Sequence, residues 1–170
     1  MGQGLARETP DAKSVFAAAT GFDESAALLH QANNRVLSGP QRYVTTPYLW
    51  PGVVCDALAV ELYMKCLAVL ERGDCLRTHS LRILFADLSP DSQAEIAQTF
   101  ERLIAANPLA QAMKAQVPKV SFAIHDVLRE MDLVFEQARY VYENQLRGAY
   151  GLGELAQAVR KRILELGGAA

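Results

Sequence analysis

The sequence predicts an all-α protein, an up-and-down helical bundle of four to five main helices. Apolar residues recur at helical spacing in every long segment, and no segment alternates between apolar and polar residues over more than a few positions. Of the 170 residues, 51% are hydrophobic, which is enough to build the core of one ordinary domain. We therefore expect one helical domain without a substantial sheet.

The chain is expected to begin with a flexible leader over residues 1–20, followed by a single domain over residues 21–168. The first helix should start near Asp23, where apolar residues begin to recur at helical spacing, and should end at a glycine–proline pair. The next stretch, Gln41–Pro51, contains two prolines and three aromatic residues. This composition predicts a connecting loop that packs onto the bundle.

The second helix is expected over Gly52–Arg72, and it is apolar on nearly every side. A helix of this kind is buried in the core of a protein. Its only charges before the last turn are Asp56, Glu61 and Lys65. Because buried charges need partners, these residues should be paired inside the bundle.

Five further segments complete the predicted domain. The first is a short helix around Leu81–Leu88, and the second is a helix that begins at Ser89-Pro90 and runs to about Ala106. A looser stretch with room for one short helix follows, up to Pro118. A long helix that Ser121 caps should then reach about Arg147, and a last amphipathic helix should end at Gly167-Gly168.

Composition limits the classes of function. Seventeen basic and nineteen acidic residues leave a net charge of −2, which supplies no excess to attract a nucleic-acid backbone or an anionic membrane. The longest uncharged run, Tyr43–Cys55, is too short to span a bilayer. Three cysteines and a polar N-terminus without a signal-peptide pattern predict a cytoplasmic protein. No cofactor motif or metal-ligand spacing is present in the sequence, so none is expected.

A cluster of polar residues falls where helices should be buried. Glu61 and Lys65 are four residues apart, as are Arg139 and Glu143, so each pair shares one helix face. Tyr140 lies beside the second pair. Two interpretations stay open: a structural network that fixes the register of the helices, or a lining for a ligand or RNA site.

His79 precedes the short helix and has two interpretations of its own. It could hydrogen-bond a carboxylate such as Glu61 and hold two elements together. Alternatively, the near-neutral intrinsic pKa of a histidine would suit general acid–base catalysis on a phosphodiester. The other histidines, His30 and His125, are expected to be ordinary solvated or half-buried side chains.

Three runs of sequence follow one another in a specific order: Ala57–Leu67, Thr78–Phe85 and Arg139–Glu143. In this order and spacing the chain resembles the HEPN family (higher eukaryotes and prokaryotes nucleotide-binding), and its bacterial members in particular. It departs from many relatives at Ser80, where they carry Asp, and at Ala138, where they carry Trp. The resemblance implies a helical bundle, a homodimer, and a link to RNA or nucleotides, to a nucleotidyltransferase partner, or to toxin–antitoxin and defence systems.

Nuclease branches of that family carry an arginine and a histidine separated by four to six residues, near the last core helix. Here Arg72 and His79 match that spacing, but they follow the second helix instead. Three hypotheses therefore stay open: a non-catalytic binding or regulatory module, a metal-independent endoribonuclease that uses Arg72 and His79, and a structural subunit of a larger complex.

Overall fold

The computed structural model describes residues 11–38, 47–117, 119–132, 134 and 150–168. All regular secondary structure in these ranges is helical, which confirms the predicted all-α class. The helices are α1 (Ala12–Leu37), α2 (Leu49–Arg72), α3 (Leu81–Ala86), α4 (Pro90–Ala106), α5 (Pro108–Gln116), α6 (Ile124–Met131) and α7 (Leu152–Glu165). Within the same ranges, no helix is both long enough and apolar enough to cross a membrane.

Helix α2 forms the centre of the bundle. Half of its residues are buried, among them Val60, Tyr63 and Met64. The long helix α1 lies along it, α7 packs between it and α4, and α3 lies against its second half. Gly73 ends the helix with a φ of 81°, a left-handed conformation that glycine adopts without a steric cost.

Helix α1 begins at Ala12, earlier than the sequence predicted. Asp11 caps it, because its Oδ2 accepts hydrogen bonds from the backbone nitrogen and the hydroxyl of Ser14 at 3.0 and 2.8 Å. Phe16 and Ala19 then pack on the core. The predicted start near Asp23, and with it a leader that includes residues 12–20, was therefore wrong. The apolar stripe continues at helical spacing through these residues, and its burial decides their structure.

Two other boundaries also differ from the predictions. Helix α2 begins at Leu49, so Pro51 lies in its first turn, where the missing backbone N–H leaves no hydrogen bond unmade. Helix α6 begins at Ile124, and Ser121 lies outside it, donating a hydrogen bond to Asp126 at 2.6 Å. The expected continuation of this helix to about Arg147 lies largely outside the described residues.

The start of α4 agrees with the sequence. Ser89 accepts a hydrogen bond from the backbone nitrogen of Ser92, and Pro90 is the first helical residue. The hydroxyl of Ser89 also donates to Glu71 at 2.7 Å, and the side chain of Arg162 donates to Ser92. These contacts join the start of α4 to α2 and to α7. The short helix expected before Pro118 is present as α5.

Candidate functional site

The predicted polar cluster centres on Glu61, which lies on α2 and is only 3% exposed. Lys65, one turn later, donates from Nζ to Oε1 of Glu61 at 2.6 Å. His79 Nδ1 lies 3.1 Å from Oε1 and 3.0 Å from Oε2 of the same carboxylate. The contact between Glu61 and His79 is the one that the sequence suggested. It links the buried helix to the segment that leads into α3.

A second carboxylate holds the start of α3. Ser80 caps this helix by accepting a hydrogen bond from the backbone nitrogen of Ile83, and its hydroxyl donates to Asp132 at 2.7 Å. Asp132 also accepts from the backbone nitrogen of Arg82 at 3.0 Å. Helix α3 is therefore attached to Glu61 through His79 and to Asp132 through its own first turn.

Arg72 is attached to a third carboxylate. Its guanidinium donates to the backbone oxygen of Asp87 at 2.6 Å and forms an ion pair with the Asp87 side chain. This contact ties the last turn of α2 to the end of α3. The two candidate catalytic residues thus bind different carboxylates, Arg72 that of Asp87 and His79 that of Glu61.

The other half of the predicted cluster lies outside the described residues. It consists of Arg139, Tyr140 and Glu143. Their proximity to Glu61 and Lys65 stays a prediction from helical spacing.

A pair that the sequence analysis missed lies on the other half of α2. His30 on α1 donates from Nε2 to Oδ2 of Asp56 at 2.6 Å. Asp56 is 8% exposed. The hydrogen bond to Asp56 raises the pKa of His30, and partial burial of the ring opposes this effect. The expectation that His30 is an ordinary half-buried side chain omitted this ion pair.

Gly52 provides the space for this imidazole. A Cβ atom at residue 52 would lie 2.9 Å from the His30 ring, closer than carbon atoms pack. Gly52 and Asp56 are four residues apart, so they lie on one face of α2. A glycine one turn before an isolated acid, in a helix that is otherwise apolar, is the sequence signal that could have indicated the site.

His30 and Asp56 line a cleft of about 370 Å³. The cleft is bounded by α1, α2, α5 and the start of α7. Its remaining polar lining is Asn33, Asn34, Asn107 and Glu154, and its apolar lining includes Leu49, Val53, Met113, Phe122 and Tyr150.

Asn107 connects two walls of the cleft. Its side-chain oxygen accepts from the backbone nitrogens of Leu109 and Ala110 at 2.9 and 3.3 Å, so it caps α5. Its side-chain nitrogen donates to Glu154 in the first turn of α7. The rings of Phe122 and Tyr150 lie 5.0 Å apart between their centroids. The walls are therefore held by contacts within the protein itself.

The thiols of Cys66 and Cys55 are poorly suited to nucleophilic chemistry. Burial raises the pKa of the Cys66 thiol to about 11, and its Sγ donates to the backbone oxygen of Ala12. Burial also raises the pKa of Cys55. A thiol with a raised pKa is a poor nucleophile. In the part of the chain that the structure describes, no three His, Cys, Asp or Glu residues are grouped so that they could hold a metal ion.

No family model matches the chain, and neither does any curated protein or solved structure.

Lys65→Ala is expected to lower the free energy of unfolding by about 3–5 kcal/mol, because it removes the ammonium that lies 2.6 Å from the buried carboxylate of Glu61. Glu61→Ala should also lower the free energy of unfolding, and the double variant should lose less stability than the sum of the losses in the two single variants. Chemical denaturation of the four proteins measures these values.

Lys161 and Glu165 provide the matched control, because they form an ion pair at the same spacing on the exposed face of α7. Lys161→Ala should change the free energy of unfolding by about 0.5 kcal/mol or less. If the Lys65 and Lys161 variants lost equal stability, the contribution of the Glu61–Lys65 pair to stability would not depend on its burial.

The pair of His30 and Asp56 predicts a pH-dependent stability. Because the pKa of folded His30 lies above the unfolded value of about 6.5, protonation favours the folded state. This contribution is complete below the unfolded pKa and is lost as the pH rises through the folded pKa.

His30→Gln should therefore be less stable than the wild type near pH 5.5, and the difference should shrink toward about pH 8. The difference in stability near pH 5.5 should be about 1 kcal/mol or less, because more than a third of the His30 side chain is exposed. Asp56→Asn should remove the same pH dependence. A difference that grew with pH would contradict the assignment.

Proposed function

We propose that this protein is a non-catalytic, HEPN-like binding module with a regulatory role, and that it acts as a homodimer. The observation that supports this proposal best is the separate use of Arg72 and His79 in contacts that hold helices together. The dimer, and the link to RNA, nucleotides, a nucleotidyltransferase or a toxin–antitoxin system, are carried over from the resemblance of the sequence.

The alternative, a metal-independent endoribonuclease, would need an arginine that stabilises the phosphate and a histidine that moves a proton. The carboxylate of Asp87 already neutralises the guanidinium of Arg72, which weakens its attraction for a phosphate. His79 is bound to Glu61 through Nδ1, and its side chain is 81% exposed. A general base with this exposure lacks the water-excluding surroundings that make catalytic electrostatics strong.

The charge of the protein also disfavours RNA cleavage. Binding to a phosphate backbone depends on several cations acting together and weakens steeply with salt. The chain has a net charge of −2. Several of its cations, including Lys65, Arg72 and Lys161, are paired with carboxylates of the same molecule. These pairs reduce the charge that could gather RNA.

The cleft beside His30 supports a binding role. Ligand sites in proteins are concave, mostly apolar, and carry a few polar groups that fix the orientation of the ligand. The cleft has this composition, and its volume of about 370 Å³ suits a small molecule. Of its walls, α1 and α7 pack on the buried helix α2, and α5 packs on α4.

The decisive assay incubates RNA in EDTA with the wild type, Arg72→Ala, His79→Ala and Arg77→Ala. We expect no cleavage by any of them. Arg72→Ala should lower the melting temperature more than Arg77→Ala, since Arg72 alone of these two arginines is bound to Asp87.

If the wild type cut RNA while folded Arg72→Ala and His79→Ala were inactive, the nuclease hypothesis would replace the binding-module proposal. Arg77 is the matched control because it is an exposed arginine between α2 and α3, five residues after Arg72. Cleavage by all four proteins to the same extent would indicate a contaminating nuclease, since neither candidate residue would then be required.

A further inference from the structure

We propose that the cleft between α1, α2, α5 and α7 binds a small organic cation, an ammonium group carried on a short apolar body. The inference rests on the proposed binding function and specifies the chemical class of its ligand.

The charges that line the cleft favour a cation. Asp56 and Glu154 contribute two carboxylates, and none of the described residues that line the cleft is a lysine or an arginine. His30 is the one lining residue there that can gain a positive charge. With His30 neutral, the described lining therefore has a formal charge of −2, and with His30 protonated it has −1.

The two carboxylates can each bind a ligand without giving up their internal contacts. A carboxylate offers about four acceptor positions. His30 donates one hydrogen bond to Asp56, and Asn107 donates one to Glu154. These bonds fix the orientation of the two acids, and such preorganisation reduces the cost of binding.

Asp56 is the stronger anchor of the two, because it is more deeply buried. An ion pair is screened less by water and salt when it is buried. A primary ammonium could donate one proton to Asp56 and another to Glu154 or to the side-chain oxygen of an asparagine in the lining.

The apolar lining suits the rest of such a ligand. Leu49, Val53 and Met113 provide an aliphatic surface, and Phe122 and Tyr150 provide two rings. The face of an aromatic ring attracts cations, and the ammonium of Lys114 already lies 5.5 Å from the centre of the Phe122 ring. An apolar body of about one aromatic ring would be buried beside these residues.

His30 makes the binding dependent on pH. At low pH its positive charge neutralises the carboxylate of Asp56, so an incoming ammonium group is attracted to that carboxylate less strongly. As the pH rises and His30 loses its proton, the carboxylate becomes available as the partner of the ligand. The other charged or titratable groups among the described lining residues are Glu154 of α7 and Tyr150. Lys114 of α5 is not part of this lining, and its ammonium lies over the Phe122 ring. Affinity for a cation should therefore increase through the pKa of His30, which the bond to Asp56 raises.

Calorimetric titration with three probes of nearly equal size tests the proposal. Phenethylamine is cationic, phenethyl alcohol is neutral, and hydrocinnamate is anionic. At about pH 8 we expect the amine to bind the wild type at least about tenfold more tightly than the other two. At about pH 5.5 its affinity should be several-fold lower.

Variants then locate the site. Asp56→Asn should weaken amine binding by about tenfold or more, and Glu154→Gln by a smaller factor. Glu95→Gln makes the same charge change on the exposed surface of α4 and should leave the affinity unchanged. His30→Gln should bind the amine with an affinity that no longer changes between these pH values. Should Asp56→Asn fail to fold, Glu154→Gln and His30→Gln still test the site.

Three results would overturn the proposal: equal affinity for the three probes, tighter binding of hydrocinnamate, or no binding of the amine at millimolar concentration. An equal loss of affinity in Glu95→Gln would also overturn it, because the effect would then come from net charge alone. None of these results would support the nuclease hypothesis, because that hypothesis is tested by RNA cleavage that depends on Arg72 and His79.

Discussion

The burial of α2 on nearly every side is the constraint on which the rest of this structure depends. A helix in this position can carry a charge only if a neighbouring side chain compensates it. Asp56 is compensated by His30 of α1, and Glu61 by Lys65 and His79. The partners come from the helix that precedes α2 and from the segment that follows it. The two buried acids therefore fix how α1 and α3 are placed against the core.

The two acids differ in their surroundings, because Glu61 is enclosed by other side chains and Asp56 lies beside a cleft. Glu61 is enclosed between Lys65 and the start of α3, so its charge holds elements of the fold together. Asp56 lies at the wall of a cleft, so its charge is also available to a molecule from outside. The contacts of Glu61, Lys65 and His79, the described members of the predicted polar cluster, favour its structural interpretation, and the ligand site that we propose lies on the other half of the same helix.

The sequence predicted local features well and contacts between distant helices less well. The burial of α2 follows from a helix that is apolar all round, and the pair of Glu61 and Lys65 follows from a spacing of four residues. The pair of His30 and Asp56 depends on how α1 is rotated against α2, which no local pattern specifies. The start of α1 was missed because the apolar repeat was expected to begin only near Asp23. The helix begins earlier because Phe16, Ala19 and Phe22 pack on the core.

Native-state hydrogen exchange tests most directly the central claim that α2 is the buried centre of the fold. The backbone amides of Val60, Tyr63 and Met64 should exchange only through global unfolding, with the same free energy that denaturation gives. Amides of α5, which buries only Ala110, should exchange through local openings of much lower free energy. Exchange of the α2 amides at the rate of those in α5 would contradict the account, because the helix could then not be the buried centre of the fold.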